Sequence, residues 1–268
     1  MPEPRLAVVT GASSGIGASF ARQLAARGYA LLLVARREEK LRELAAEITA
    51  QHNVAVKVAM ADLAADDGRK QIAARIRDAK NLLLLVNNAG FGSVGLFHNA
   101  PLEIQDDMHR VHVLTTLALS HAALGNLLAK QPSAGSGIIN VSSIASFGQS
   151  PSNVSYCATK AWITSFTEGL AVELAAQRSS IKVQALCPGF TYSEFHDRIK
   201  MSRDPIPKQL WMTADYVVAE SLRGFDRGKL IVIPGWRYQA IAAFMRSMPN
   251  SLLRKITTLA ARRYRKPA

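Results

Sequence analysis

Cysteine is scarce: of 268 residues only Cys157 and Cys187 carry thiols. Two thiols build no disulfide framework, so the expected setting is a reducing cytoplasm. Cys157 is expected to be a buried, inert thiol. Histidine is sparse too, and His98, His109, His121 and His196 fall in no pattern with cysteine or aspartate at ligand spacing. No structural or catalytic metal is expected. No apolar run approaches the ~18 residues that cross a bilayer, and Leu6–Thr10 starts too near the amino end to leave room for a cleavable export signal. Linker-like sequence is nearly absent; Pro132-Ser-Ala-Gly-Ser-Gly137 reads as an exposed loop inside one domain. The charge is also uneven. Residues 237–268 hold eight Lys/Arg and no Asp or Glu, leaving 25 basic against 20 acidic residues elsewhere.

What is present is apolar and alternating. The chain is 49% hydrophobic, enough to bury one large core without a second domain. Leu82–Val86 and Ile181–Leu186 read as short strands buried on both faces of a parallel sheet, and Leu6–Thr10 as another strand. Helical patterns lie at Glu38–Gln51, Asp66–Ala79, Pro101–Leu128 and Ser155–Arg178. Strand alternating with helix implies an α/β fold, a doubly wound parallel sheet with helices on both faces and ligands at the carboxyl ends of the strands. Gly11, Asn87, Ser142 and Gly189 all fall there.

Two clusters carry chemistry. In Thr10-Gly-Ala-Ser-Ser-Gly-Ile-Gly17 the strand turns into a helix, and Gly11, Gly15 and Gly17 let backbone approach a ligand closely. The amide groups at that helix start, around Ser13, Ser14 and Ile16, favour a pyrophosphate. The spacing departs from the commoner Gly-x-Gly-x-x-Gly, and the lesser alternative for this stretch alone is an ordinary tight turn. In Tyr156-Cys-Ala-Thr-Lys160 a phenol and an ammonium share one helix face, one turn apart. The positive charge is predicted to lower the phenol from its usual ~10 toward a useful general acid. Ser143, thirteen residues upstream, offers a hydroxyl to hold an oxygen that gains charge when hydride adds to a carbonyl. Hydride itself must come from a cofactor.

The glycine turn, Asn87-Asn-Ala-Gly90, Ser143, Tyr156-x3-Lys160 and Pro188-Gly189 occur in the order and at the approximate spacing of the classical short-chain dehydrogenase/reductase family, which the chain resembles from residue 5 to about 235. Cys187–Phe195 and Val232–Trp236 resemble a bacterial, carbonyl-reductase-like branch. The resemblance implies a Rossmann-type catalytic domain over residues 1–236, with Tyr156 as general acid/base and Lys160 reaching the nicotinamide ribose. It further implies a homodimer or homotetramer through the two long central helices. Asp62 is similar to the residue that contacts adenine, and Asn87, Ala89 and Gly90 to the second wall of the cofactor site; Pro188, Gly189 and Thr191 match positions that touch the cofactor. At the end of the second strand an acid would hold the ribose 2′-hydroxyl of NAD, but Val34-Ala-Arg-Arg37 offers Arg36 and Arg37 instead. Guanidinium suits a 2′-phosphate, so NADP(H) is the expected cofactor.

One position breaks the family pattern. Where the family carries asparagine, supporting a water beside the catalytic lysine, this chain has His112; imidazole both donates and accepts, so it is expected either in a proton relay or as a satisfied structural histidine. Substrate recognition is expected in a mobile lid at about 190–215, with Phe190, Phe195 and Trp211 facing a lipophilic carbonyl compound or secondary alcohol. In the extension at 237–268, Leu252, Leu253, Ile256 and Leu259 recur at helical spacing opposite Arg254 and Lys255. Such a helix either makes peripheral contact with an anionic membrane or docks on protein. Nucleic-acid binding is not expected. The sequence thus reads as an NADPH-dependent oxidoreductase; the alternative is a catalytically weak NADPH-binding regulatory or membrane-surface interaction protein on the same fold.

Overall fold

The computed structural model describes residues 5–130, 135–194 and 206–264. Among them, seven strands form one parallel sheet in the order β3-β2-β1-β4-β5-β6-β7. These are β1 Leu6–Thr10, β2 Ala30–Ala35, β3 Val56–Met60, β4 Leu82–Asn87, β5 Gly137–Val141, β6 Lys182–Leu186 and β7 Ile231–Val232. The helices between and after them are α1 Gly15–Ala26, α2 Glu38–His52, α3 Asp66–Asp78, α4 Leu102–His109, α5 Thr116–Ala129, α6 Val154–Ala176, α7 Ala214–Asp226, α8 Trp236–Ser247 and α9 Asn250–Tyr264.

The period of two along each strand sorts apolar side chains into two layers. Leu31 and Leu33 of β2 join Phe20 and Leu24 of α1, Leu41 and Ile48 of α2 and Leu222 of α7 on one face. Leu32 and Val34 join Ile72 and Ile76 of α3, Leu119 of α5 and Leu174 of α6 on the other. In β4 the alternation slips once: Leu6 pairs with Leu82 but Ala7 with Leu84, which makes Leu83 the extra residue and puts Leu82 and Leu85 in the same layer. Strand order reverses between β1 and β4, so loops leave the sheet in opposite directions there and open a crevice at its carboxyl edge.

Two expectations need correction. The stretch ending at Gly137 is not all loop, because β5 begins at that glycine; residues 131–134 lie outside the described set. The helical run from Leu102 to Ala129, 28 residues long, is by length and composition apolar enough to cross a membrane, although no such run was expected. Its apolar character has a place in the domain: Leu119, Ala122, Ala123 and Leu127 enter the core beneath the sheet. Within that run Arg110–Thr115 is wound as a π-helix, a wider turn often found at functional sites.

Candidate active site

Ser143, Tyr156 and Lys160 meet at the floor of the crevice because β5 and the start of α6 are tied together by buried hydroxyls. Ser142, the residue after β5, donates its N–H to the Leu186 carbonyl at 2.7 Å, and its Oγ donates to the Lys160 carbonyl at 2.8 Å. Ser143 Oγ accepts from the Ala145 N–H at 3.1 Å, capping a short 3-10 turn at Ile144–Phe147, and its hydroxyl is also bonded to the Tyr156 phenol. Lys160 is buried, its Nζ donating to the Val141 carbonyl at 2.9 Å and lying 5.7 Å from the centre of the Tyr156 ring.

The electrostatics run opposite to the expected depression of the phenol. Burial pushes the Tyr156 phenol up to about 12, against the smaller pull of the Ser143 hydrogen bond. Burial also brings the Lys160 ammonium down to about 8. Desolvation is the largest cause for both groups, and the ammonium is directed at the Val141 carbonyl. Tyr156 is therefore held as the protonated acid throughout the neutral range, the form that carbonyl reduction requires.

His112 comes from the π-helical segment and is completely buried. Its Nε2 accepts from the Phe91 N–H at 3.2 Å. That leaves the proton on Nδ1, which donates to Thr159 Oγ1 at 2.8 Å, and Thr159 Oγ1 in turn donates to the Tyr156 carbonyl at 3.0 Å. The imidazole stands edge-on to the Tyr156 ring, centroids 5.9 Å apart. Burial first, then the Lys160 charge, hold it well below the usual histidine range, so it is neutral. A Cβ at position 90 would come within 2.6 Å of His112 Nε2, which is why the wall there is Gly90. Both ring nitrogens are thus hydrogen-bonded within the protein.

The crevice, about 890 Å³, continues from this floor along Gly90 and Ala89 to the glycine turn and Arg36. Gly11 has φ +63°, and a Cβ there would lie 2.8 Å from the Ala89 backbone, so the turn and the second wall meet closely. Ser14, at the cap position of α1, makes no side-chain cap, and the first turn holds no acid, which suits its amides to an anionic group. Ser13, Gly15 and Ile16 line the same stretch; Gly17 lies behind it, against the Gly11 carbonyl. Asp62 also lines the crevice, its Oδ1 accepting from the Ala64 N–H at 3.0 Å. Asn87 stands behind the wall: its amide donates to Ser120 Oγ and Asn140 Oδ1, and Asn88 faces the crevice instead. The donors and the shape fit a dinucleotide.

The two arginines have different duties. Arg36 is exposed at the mouth and has no ion-pair partner among the described residues. Arg37 donates to Ser13 Oγ and Ser14 Oγ, each at 2.9 Å, and pairs with Glu194 at 2.8 Å. Lys40 holds the other Glu194 oxygen at 2.9 Å, and the two cations keep that carboxyl down at about 2. Glu194 thereby latches the segment after Pro188 and Gly189 onto the cofactor turn.

On the substrate side, Pro188, Gly189, Phe190 and Thr191 line the crevice. Thr191 bridges to Met212, with the Met212 N–H on the Phe190 carbonyl at 3.0 Å and the Tyr192 N–H on the Met212 carbonyl at 2.9 Å. Trp211 is buried and stacks on Tyr192 at 5.0 Å, so it braces the loop from behind. Phe195 lies outside the described residues. A residue with no sequence signal does much of the holding: Tyr238 of α8 accepts from the Phe190 N–H at 3.0 Å and donates to the Leu210 carbonyl at 2.7 Å. Thr159 and Glu194 also escaped the sequence reading, one inside a recognised motif and one as a lone acid.

A family model described as short chain dehydrogenase matches residues 5–204. An uncharacterized oxidoreductase of Staphylococcus epidermidis is 36% identical over 189 residues, 69% of this chain and 77% of that one. A very-long-chain 3-oxoacyl-CoA reductase of Anas platyrhynchos is 32% identical over 210 residues, 75% of this chain and 65% of that enzyme, so the chain spans less than two thirds of its length. The solved short-chain dehydrogenase of Sphingobium yanoikuyae in complex with NADPH superposes with a TM-score of 0.81 at 30% identity, covering 91% of this chain and 96% of that one. Fold, site and similarity agree: the chain belongs to the classical short-chain dehydrogenase/reductase family.

Proposed function

We propose that the protein is an NADP(H)-dependent reductase of lipophilic carbonyl compounds, acting on C=O and CH–OH groups with Tyr156 as its acid. The observation that carries this is the half-buried Tyr156 phenol, hydrogen-bonded to Ser143 and one helix turn from Lys160 at the floor of a crevice with basic Arg36 at its far end. Bound NADP(H) supplies the hydride. Ser143 and Tyr156 hold the carbonyl oxygen, and Tyr156 gives it a proton as its charge grows. Lys160 remains cationic below about 8 and stabilises the phenolate left behind. Arg36 reads the 2′-phosphate, while Arg37 supports the turn. Phe190 on the crevice wall, and the similarity to an enzyme named a very-long-chain 3-oxoacyl-CoA reductase, favour a lipophilic substrate. Exposed Leu114, Leu117 and Val172 suit assembly into a homodimer or homotetramer, and two buried free thiols suit a cytoplasmic setting.

The test is Tyr156→Phe, assayed on a panel of ketones, aldehydes and acyl thioesters by NADPH absorbance. The expected loss in kcat is about 10²–10⁴-fold with NADPH affinity nearly unchanged, since a proton donor is deleted and the ring kept. Near-normal turnover in the variant overturns the reading.

A further inference from the structure

Helices α8 and α9 have two sides of different character. Their inner sides are already used: Tyr238 and Ala242 are buried, and Met245 and Leu253 lie over Gly148, near the Ser143 turn. Their outer sides are not, with Trp236, Phe244 and Leu259 at 69%, 59% and 59% exposure and Ile241, Leu252 and Ile256 exposed beside them. Arg237, Arg246, Arg254 and Lys255 are exposed among these apolar residues, and Arg237 lies over the Trp236 ring at 4.7 Å. Not one carboxylate occurs between residues 237 and 268.

We infer that this face docks on an anionic lipid bilayer. A second copy of the chain is disfavoured as occupant, because a two-fold contact sets the same patch against itself and brings uncompensated cations together. A nucleic acid would satisfy the charge and leave Trp236, Phe244, Ile256 and Leu259 in water. A bilayer surface takes both: apolar side chains enter the acyl boundary, tryptophan sits at headgroup level and the cations meet anionic lipid. The inner side of α8 holds the substrate loop through Tyr238, so docking brings the crevice rim to the lipid surface.

The full chain is sedimented with vesicles of phosphatidylcholine containing one third phosphatidylglycerol and with vesicles of phosphatidylcholine alone. Anionic vesicles are expected to bind at least about tenfold more protein, less so in high salt. Phe244→Ser/Ile256→Ser/Leu259→Ser is expected to lose that binding while keeping its circular dichroism, soluble-substrate turnover and sedimentation coefficient. Arg246→Gln/Arg254→Gln/Lys255→Gln, which leaves the apolar face intact, is expected to bind both vesicle types equally weakly and decides the matter if the serine variant fails to fold. Failure of the parent to bind, or binding unchanged in the charge variant, overturns the inference. So does a change of oligomeric state in either variant, which would mark the face as a contact between copies.

Discussion

The two walls of the crevice are built in different ways. The cofactor wall is made of backbone: Gly11 against Ala89, the open amides at the start of α1, and short polar side chains bonded to residues near them in the sheet. The substrate wall is made of side chains that reach across the chain, with Tyr238 holding Phe190 and Leu210, Trp211 stacked behind Tyr192, and Glu194 anchored on Arg37 and Lys40. A wall of backbone tolerates little besides glycine and serves a constant ligand. A wall of long-range contacts can be rebuilt residue by residue, and it is where one member of the family can differ from the next.

The strongest way to break the comparison is at Arg36, the charge proposed to distinguish one dinucleotide from another. Arg36→Asp should lower kcat/KM with NADPH and raise it with NADH, shifting their ratio by about 10²-fold, since a charge-assisted contact to phosphate is replaced by repulsion. Steady-state rates with both cofactors measure it. A parent enzyme that already prefers NADH contradicts the assignment of Arg36.

Next in size is the substrate wall. Tyr238→Phe removes one donor and one acceptor and leaves the Phe190 N–H and Leu210 carbonyl without that partner, at a cost of about 1–3 kcal/mol for a buried group. The expected result is a KM for the carbonyl substrate raised about tenfold, with the dissociation constant for NADPH unchanged. If NADPH binding weakens equally, the two walls are not independent.

The smallest effect is expected from a conservative change at the junction of the walls. His112→Asn should keep kcat within about threefold, as it retains a donor and an acceptor, whereas His112→Leu strands the Phe91 N–H and loosens Thr159, costing about tenfold or more. Neither should move the pH profile of reduction. That profile should fall above about 8 as Lys160 loses its proton, well before Tyr156 ionises near 12. A profile displaced in His112→Asn would show that the imidazole carries protons after all.

The cofactor wall was legible in the sequence for the same reason that it is backbone. Its glycines, its serines and the Tyr-x3-Lys pair act through neighbours a few residues away, and local spacing records them. Strands β1, β4 and β6 and helices α2, α3 and α6 were legible through hydrophobic periodicity, with boundaries off by a residue or two, whereas β2, β3 and β5 were not delimited. What spacing could not record was direction. The family resemblance placed Asn87 on the wall, but its side chain turns back into the network with Ser120 and Asn140. Spacing put charge beside the Tyr156 phenol, but burial moves that group the other way. Tyr238 left no trace, because its partners lie 48 and 28 residues away.

Gly90 and His112 have a consequence for how such a chain changes. The imidazole fills the space that any side chain at position 90 would claim, within 2.6 Å, and takes its hydrogen bond from the very next residue. Alanine at 90 must wait for a smaller residue at 112, and once histidine is installed at 112 the glycine is fixed. The two positions, 22 apart in sequence, are therefore coupled in one order: position 112 changes with Gly90 in place, and position 90 grows only afterwards.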